Sequence, residues 1–278
     1  IDFNRAGTPL IEIVTEPDIR SGEEAFACLS EIRKLVRYLE ICDGNMEEGS
    51  LRCDANISVR KKGDTQFGTR VEVKNLNSIR NVKRAIEAEA KRLVDIMEHG
   101  GTIVQQTRGF DANTGTTFTI RDKEDADDYR YFPEPDLSPF HLQDEFVERI
   151  RRSIPELPGE RMKRYVSAIQ LSEYDALLIT EEKTIADYFE KLISFSPSPP
   201  SGEGPGMRKA CANWMLGPVK GWLNENNKDI NDFPLSPEKL AEVIELTNIG
   251  KISFSAASGK LFAHLLQHPE KNTASAVK

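Results

Sequence analysis

The chain has 278 residues, of which 38% are hydrophobic and 29% charged, proportions typical of a soluble globular protein. Its net charge of −8 argues against nucleic-acid binding through overall positive charge, and its four scattered cysteines argue against a disulfide framework or a cysteine-built zinc site. No apolar run approaches the roughly 20 residues that a membrane-spanning helix needs.

The first predicted element is a short strand in the stretch GTPLIEIVTEPD, residues 7–18. Leu10, Ile11, Ile13 and Val14 indicate a buried strand, and Glu12 lies in the middle of them. A buried carboxylate is costly unless it is paired or bound to a metal. The pattern therefore predicts a partner for Glu12 without distinguishing an arginine from a metal.

Two amphipathic helices are predicted in the first half of the chain. The first, over residues 21–41, begins with a capping box formed by Ser21 and Glu24. The second runs from about Ser78 to Glu98 and ends at the pair Gly100 and Gly101. In both, apolar residues recur at helical spacing.

Three strands with alternating polarity accompany these helices. In LRCDANISVR the apolar positions from Leu51 to Val59 alternate with polar ones, and TRVEVKNLN repeats the pattern with Val71 and Val73. In GTTFTIRDKE the same reasoning places Phe118 and Ile120 inward, against Thr119 and Arg121 outward. Alternation of this kind predicts an antiparallel or mixed sheet, covered on its apolar face by helices in an α+β architecture.

From about residue 144 the strand signal ends, and short helices joined by proline or polar turns are predicted. Residues 194–206, SFSPSPPSGEGPG, interrupt them with a stretch rich in serine, proline and glycine that is typical of a loop or linker. The pattern predicts an α+β domain followed by a helical domain.

The polar face of the strands has two explanations, a surface in contact with water or a binding site. Its residues combine carboxylates suited to a metal, cations suited to phosphate and amides that orient a substrate. Mg²⁺ is commonly held by one or two carboxylates together with substrate phosphates, which favours a site for metal and phosphate. The residues concerned are Arg52, Asp54, Asn56, Glu72, Lys74, Asn75, Asn77, Arg121 and Glu124, with Glu47 and Glu48 in the preceding turn.

Other motifs are less informative. No P-loop and no kinase glycine-rich loop is present in the sequence, so any ATP would have to bind on the sheet. The four histidines support no Ser-His-Asp arrangement. The stretch DADDYRYFPEPDLSPF, residues 125–140, is either a rigid proline-rich connector or a segment in which Arg130 and the aromatic residues close over a substrate, supported by Asp127, Asp128 or Glu134.

Long strings of the sequence closely resemble the B-subunit family of aspartyl/glutamyl-tRNA amidotransferases. In the first half they are DFNRAGTPLIEIVTEPDI, MEEGSLRCDANISVR, VEVKNLNSIRNV, QQTRGFD and DDYRYFPEPDL. In the second half they are IPELPGERMKRYV, YDALLIT, ANWMLG and LSPEKLAEVIEL. The resemblance covers nearly the whole chain.

This resemblance implies one component of an ATP- and Mg²⁺-dependent ligase that phosphorylates the side-chain carboxylate of Glu-tRNA(Gln) or Asp-tRNA(Asn). Glutamine-derived ammonia, supplied by the A subunit, then displaces the phosphate, and the small C subunit joins the other two. The implied fold is a glutamine-synthetase-like antiparallel sheet cradle followed by an all-α domain. The corresponding domains are residues 1–143, incomplete at the N-terminus, then residues 144–270, then the start of a tail region at 271–278.

The resemblance also implies roles for residues at the matching motifs. Glu12 becomes a metal ligand. The catalytic candidates are Glu47, Glu48, Arg52, Asp54 and Lys74. The cofactor-binding candidates are Asn56, Glu72, Asn75, Asn77, Arg108, Arg121 and Glu124.

The family's motifs GLEVHVQL and HLEEDAGK are absent from the chain, and they supply further groups to the metal site. We therefore expect the 278 residues to be inactive alone. Two alternatives are a tRNA-binding or assembly module without chemistry and a free-standing metal-dependent kinase. A cytoplasmic location without a membrane partner is expected, with an organelle left open.

Overall fold

The computed structural model describes residues 7–122, 138, 140–195 and 206–273. The chain divides into two compact units, and each has its own hydrophobic core. The first unit contains Ile1–Arg33 and Gly44–Ser138, and the second contains Lys34–Asp43 and Pro139–Lys278. Within the described ranges no helix is both long and apolar enough to cross a membrane. The domain boundaries expected from the sequence stay a prediction.

The first unit is built from a sheet and two helices. In chain order these are α1 (Gly22–Tyr38, whose last residues belong to the second unit), β1 (Cys53–Ile57), β2 (Val71–Leu76), α2 (Ile79–Glu98), β3 (Gln106–Asp111) and β4 (Thr116–Asp122). Both predicted helices are confirmed. The hydroxyl of Ser21 accepts a hydrogen bond from the backbone N–H of Glu24, and the hydroxyl of Ser78 accepts one from the backbone N–H of Asn81. Each helix therefore begins with a side-chain cap.

The four strands form one mixed sheet in the order β1-β2-β3-β4. The pairs β1–β2 and β3–β4 are antiparallel, but β2 and β3 are parallel. The described strands therefore confirm the α+β class and the mixed alternative that the strand pattern allowed, and they do not form the wholly antiparallel sheet that the resemblance implied. The reason is that α2 connects β2 to β3 and returns the chain to the end where β2 began, as in a βαβ unit.

Helix α2 covers the apolar face of the sheet. Val82 and Leu93 of this helix lie in one buried cluster with Ala55, Val71 and Val73 of the first two strands. The predicted alternation in β1 and β2 is thereby confirmed. In β4 the prediction is wrong, because Phe118 and Ile120 are exposed whereas the neighbouring threonines point toward α2.

The second unit is helical throughout its described residues, as the sequence predicts. Its helices are α3 (Asp144–Ser153), α4 (Pro158–Arg164), α5 (Glu173–Ile179), α6 (Lys183–Phe195), α7 (Gly206–Trp214), α8 (Lys220–Asn226), α9 (Pro237–Asn248), α10 (Phe254–Ala256) and α11 (Phe262–Gln267). A 3₁₀ turn spans Ile230–Asp232, and π-helical turns span Tyr165–Ile169, Met215–Val219 and Ala257–Leu261. The second π turn contains Pro218, whose missing N–H an α-helix would not tolerate without a kink.

Candidate functional site

The candidate site is the side of the sheet that α2 leaves uncovered, which we call the open face. Strand register places its side chains in two neighbouring rows that run across the strands. The upper row contains Asp54, Lys74, Gly109 and Phe118, and the lower row contains Asn56, Glu72, Thr107 and Arg121. Residues far apart in the sequence are thus adjacent on one surface.

Lys74 is the centre of the polar contacts on this face. Its Nζ lies 2.8 Å from Oδ2 of Asp54 and 3.2 Å from Oε1 of Glu72. The hydrogen bond to Asp54, followed by that to Glu72, raises the pKa of Lys74 above its ordinary value in spite of partial burial. The ammonium group is therefore held in its charged form between two carboxylates.

Thr107 holds the same glutamate from the other side. Its hydroxyl donates to Oε2 of Glu72 at 3.0 Å, so that both oxygens of this carboxylate are engaged. Glu72 is the less exposed of the two carboxylates that contact Lys74. The arrangement fixes the position of the Lys74 ammonium on an open surface.

Two β-bulges determine which side chains reach the open face. Between Cys53 and Ala55 the register shifts by one residue, and Asn75 on the facing strand takes a left-handed conformation with φ of 61°. Leu76 can therefore point into the core although Asn75 interrupts the alternation. In β4 a second shift pairs Thr107 with Arg121, which places Arg121 on the same side of the sheet as Thr107.

The structure therefore brings together five of the residues singled out in the sequence. These are Asp54, Asn56, Glu72, Lys74 and Arg121. Asn77 accepts a hydrogen bond from the side chain of Asn81 at 2.8 Å, at the start of α2. Arg52 is exposed just before β1.

Glu47 and Glu48 are exposed in the turn that precedes β1. Their backbone N–H groups donate to the side chain of Asn45, at 3.0 and 3.3 Å. This Asx-type turn explains the backbone at the MEEGS motif without involving the two carboxylates. Glu124, Asp127, Asp128, Arg130 and Glu134 lie outside the described residues.

Arg108 requires a correction, because it lies on the opposite face of the sheet. Its side chain is 9% exposed, and its Nε lies 3.3 Å from Oε2 of Glu89, a completely buried residue of α2. The guanidinium also donates to the hydroxyls of Thr117 and Thr119. Register with Val73 points Arg108 toward α2, where the buried carboxylate stabilises its charge, so it does not contribute to the open face.

Glu12 requires a second correction. Residues 8–16 form no strand, and Leu10 and Val14 are 89% and 81% exposed. Strand burial requires a neighbouring strand that satisfies the backbone and covers the side chains, and no strand described here pairs with this segment. Glu12 is itself exposed, so burial imposes no need for a partner.

The described residues do not by themselves form a metal site. Among them no group of three His, Cys, Asp or Glu side chains is placed to hold a metal ion. The two carboxylates of the open face are bridged by Lys74, whose ammonium lies where a cation shared by them would bind. Lys74 thus offsets one of the two negative charges, and the three groups together keep a net charge of −1.

Sequence reasoning missed Thr107 and Phe118 of this site and, on the opposite face of the sheet, Glu89, which contacts Arg108. Thr107 belongs to β3, a strand that the sequence did not predict, and Phe118 lies on the open face because it pairs with Gly109. Glu89 lies among alternating apolar and charged residues of α2 and resembles a solvated helix position. From the sequence, Glu89 could have been identified only as the carboxylate that a buried Arg108 requires as its partner.

The part of the chain that contains this surface matches a known domain family. The family described as "GatB/GatE catalytic domain" matches residues 1–148, and the family described as "GatB domain" matches residues 187–278. Among curated proteins, the B subunit of the aspartyl/glutamyl-tRNA(Asn/Gln) amidotransferase of Chlorobaculum tepidum is 51% identical over 257 residues, which is 92% of this chain and 52% of the relative.

Further relatives carry the same name. That of Geobacillus thermodenitrificans is 49% identical over 274 residues, 98% of this chain and 56% of the relative. That of Thermodesulfovibrio yellowstonii is 46% identical over 257 residues, 92% of this chain and 52% of the relative. The chain therefore spans about half the length of these curated relatives.

Proposed function

Because the chain belongs to the GatB family of tRNA-dependent amidotransferase subunits, we propose that its sheet activates the side-chain carboxylate of an aminoacyl-tRNA. The aminoacyl group would be that of Glu-tRNA(Gln), Asp-tRNA(Asn) or both. Its carboxylate oxygen attacks the γ-phosphorus of ATP, which forms an acyl phosphate and releases ADP. Ammonia derived from glutamine then attacks the acyl carbon, inorganic phosphate leaves, and the side-chain amide results.

The observation that carries this proposal is the position of Lys74 between Asp54 and Glu72 on the open face. Phosphoryl transfer depends on positioned positive charge more than on a protein nucleophile. Lys74 is positioned by Asp54 and by Glu72, which Thr107 holds in turn, and would supply such a charge once the phosphoryl group displaces a carboxylate from it. Arg121, in the neighbouring row, adds a second positive charge to the open face.

We propose ATP and Mg²⁺ as cofactors of the full-length protein. Among the described residues no three His, Cys, Asp or Glu side chains are placed to hold the metal ion. The amidotransferase A and C subunits and the mischarged tRNA are the proposed partners, in the cytoplasm. We also propose a glutamine-synthetase-like cradle. Its support is that one face of the sheet is polar and open while helix α2 covers the other face.

The test replaces Lys74 with Met in the full-length protein assembled with its partner subunits. Because this chain spans about half of its relatives, the assay should not rely on it alone. We expect kcat for ATP-dependent formation of Gln-tRNA or Asn-tRNA to fall by roughly 100-fold or more, while tRNA affinity is kept. Trapping of the acyl phosphate with hydroxylamine reports the activation step directly.

Lys61→Met is the matched control, because Lys61 is an exposed lysine in the β1–β2 loop. If the Lys74→Met protein had the wild-type kcat, Lys74 would have no role in the reaction and the proposal would be contradicted. A wild-type assembly that binds tRNA but forms neither acyl phosphate nor amide would support the alternative of a binding module without chemistry.

A further inference from the structure

Phe118 is an exposed aromatic residue on the open face, with 51% of its surface accessible. Strand register pairs it with Gly109 on the neighbouring strand. A Cβ atom placed on Gly109 would lie 2.5, 2.9 and 3.0 Å from the three atoms at the tip of the ring, Cζ, Cε2 and Cε1. These nearly equal distances mean that the face of the ring, and not its edge, covers Gly109. The ring can therefore lie flat on the sheet only because residue 109 has no side chain.

The opposite face of this ring points away from the sheet. In the described part of the chain no second ring and no guanidinium stacks on it. Phe118, Gly109 and Lys74 are register neighbours in one row. Adjacent strands are about 4.8 Å apart, so the backbones at Phe118 and Lys74 are separated by roughly 10 Å.

The row therefore offers a flat apolar platform at Phe118 and, two strands away, an ammonium held between Asp54 and Glu72. Arg121 adds a second positive charge in the neighbouring row. A nucleotide matches both features, because its base stacks on aromatic rings and its phosphates bind cations. A purely apolar ligand would not use Lys74, and inorganic phosphate would not use the ring.

We propose that Phe118 is a stacking platform for an adenine base, oriented so that the attached phosphates extend toward Lys74. The inference rests on the proposed function and names the base-binding residue of that site. Two sources of adenine are compatible with this chemistry, ATP and an unpaired 3′-terminal adenosine of an RNA. They share the stacking contact and differ in the number and position of phosphates.

Two variants test the ring in different ways, in the full-length protein with its partner subunits. Phe118→Leu removes the aromatic face, and Gly109→Ala keeps the ring but forces it off the sheet. The clash of Gly109→Ala is with the far end of a side chain that can rotate, so the strands need not move. We expect each variant to weaken ATP binding, measured by titration calorimetry, by roughly 10-fold or more.

Inorganic tripolyphosphate is the probe that separates the base from the phosphates. Its affinity should be unchanged in both variants, whereas Phe118→Trp should keep ATP affinity at or above the wild-type value. Phe67→Leu, which changes an exposed phenylalanine of the β1–β2 loop, is the matched control and should have no effect. Weaker tripolyphosphate binding in Phe118→Leu would indicate general damage to the sheet and would overturn the proposal.

A parallel titration with a short RNA that ends in CCA, and with the same RNA ending in CCU, identifies the source of the adenine. Loss of ATP affinity alone assigns the platform to ATP, and loss of discrimination between the two RNAs assigns it to the RNA end. Unchanged affinities for ATP and both RNAs would overturn the proposal. If the wild-type assembly amidates its tRNA while the variants bind as wild type, this inference fails and the proposed function stands.

Discussion

At the scale of single residues, two glutamates exchange the environments that the sequence indicates for them. Glu12, among four apolar residues, looks buried but is exposed. Glu89, in a helix rich in charged residues, is completely buried and contacts Arg92, Arg108 and Thr117. Burial is decided by what packs against a position, and in both cases that depends on residues remote in the chain.

Asn75 carries the residue-scale prediction. It occupies the left-handed region, which asparagine and glycine tolerate better than other residues. We expect Asn75→Ala to lower the free energy of unfolding by about 1 kcal/mol, and Asn75→Gly to lower it by less. Urea unfolding, monitored by hydrogen exchange of the amides in β1 and β2, measures the free energy of unfolding of both variants. Asn113→Ala, in the turn before β4, lies at a position without positive φ and provides the comparison.

Equal effects of Asn75→Ala and Asn75→Gly would contradict this account, because backbone conformation would then not be the cause. The bulge also explains why Lys74 points to the open face while Leu76 enters the core. A variant that straightened β2 would therefore move a core residue outward as well as shifting Asn75.

At the scale of elements, the two faces of the sheet carry different polar networks. The open face holds the cluster around Lys74, whereas the helix-covered face holds Arg108 against Glu89. The alternation of β1 and β2 was sufficient to predict their faces. In β4 the predicted faces are reversed, because pairing with Gly109 places Phe118 on the open face, and the shift beyond Thr119 brings Arg121 to that face as well.

Glu89 joins α2 to β3 and β4, and its replacement is the element-scale prediction. Glu89→Gln removes the carboxylate that Arg92 and Arg108 share, which should destabilise the first unit by about 3 kcal/mol. Hydrogen exchange in α2, β3 and β4 locates the effect. Glu87→Gln, an exposed change on the same helix, is the control and should stay within about 0.5 kcal/mol of wild type.

The pH dependence gives an independent check on Glu89. Burial alone raises the pKa of this carboxyl, but hydrogen bonds from Arg92 and Thr117, with the charges of Arg92 and Arg108, outweigh it and leave the pKa below its ordinary value. The stabilisation is therefore complete above the ordinary pKa and is lost as the pH falls through the lowered one. Glu89→Gln should lack this acid-dependent loss, and an identical pH profile in both proteins would contradict the assignment.

At the scale of the whole molecule, each unit combines an apolar core with one buried ion-pair network. In the second unit the network centres on Arg161, whose guanidinium contacts Asp187 at 2.6 Å and Glu190 at 2.9 Å. Tyr165 also donates to Glu190, at 3.0 Å. Both tryptophans of the chain, Trp214 and Trp222, belong to this unit, so their fluorescence reports on it alone.

Glu190 provides the whole-molecule prediction. Burial raises the pKa of its carboxyl, but hydrogen bonds from Arg161 and Arg164, together with the charge of Arg161, lower it from the ordinary 4.5 to about 2. Its stabilising contribution is thus present above about pH 4.5 and is lost as the pH falls toward 2. In Glu190→Gln, tryptophan-monitored stability should be lower at neutral pH and should depend less on pH below about 4.5.

Glu242→Gln, at an exposed position of α9, is the matched control for Glu190→Gln. A Glu190→Gln protein whose stability still falls as steeply as that of wild type in acid would show that other carboxylates account for the loss. The measurement needs only chemical unfolding at several pH values with tryptophan emission as the signal.

The sequence by itself determined the two helices of the first unit, the strands β1, β2 and β4, the helical second half, the α+β class and the family, but it did not predict β3 and it placed a strand around Glu12 that is absent. These properties depend on local periodicity, on caps such as Ser78, and on long motifs that can be compared directly. It also predicted the polar face of β1 and β2, since alternation places Asp54, Asn56, Glu72 and Lys74 on one side.

Only the tertiary structure decided the direction of β3, the face on which Arg108 lies, and the exposure of Glu12 and Phe118. The physical reason is common to all of them. Strand direction follows from the crossover through α2, and the faces of Arg108 and Phe118 follow from pairing with Val73 and Gly109 on neighbouring strands. Burial follows from partners that folding brings from elsewhere in the chain, as Glu89 is brought to Arg108.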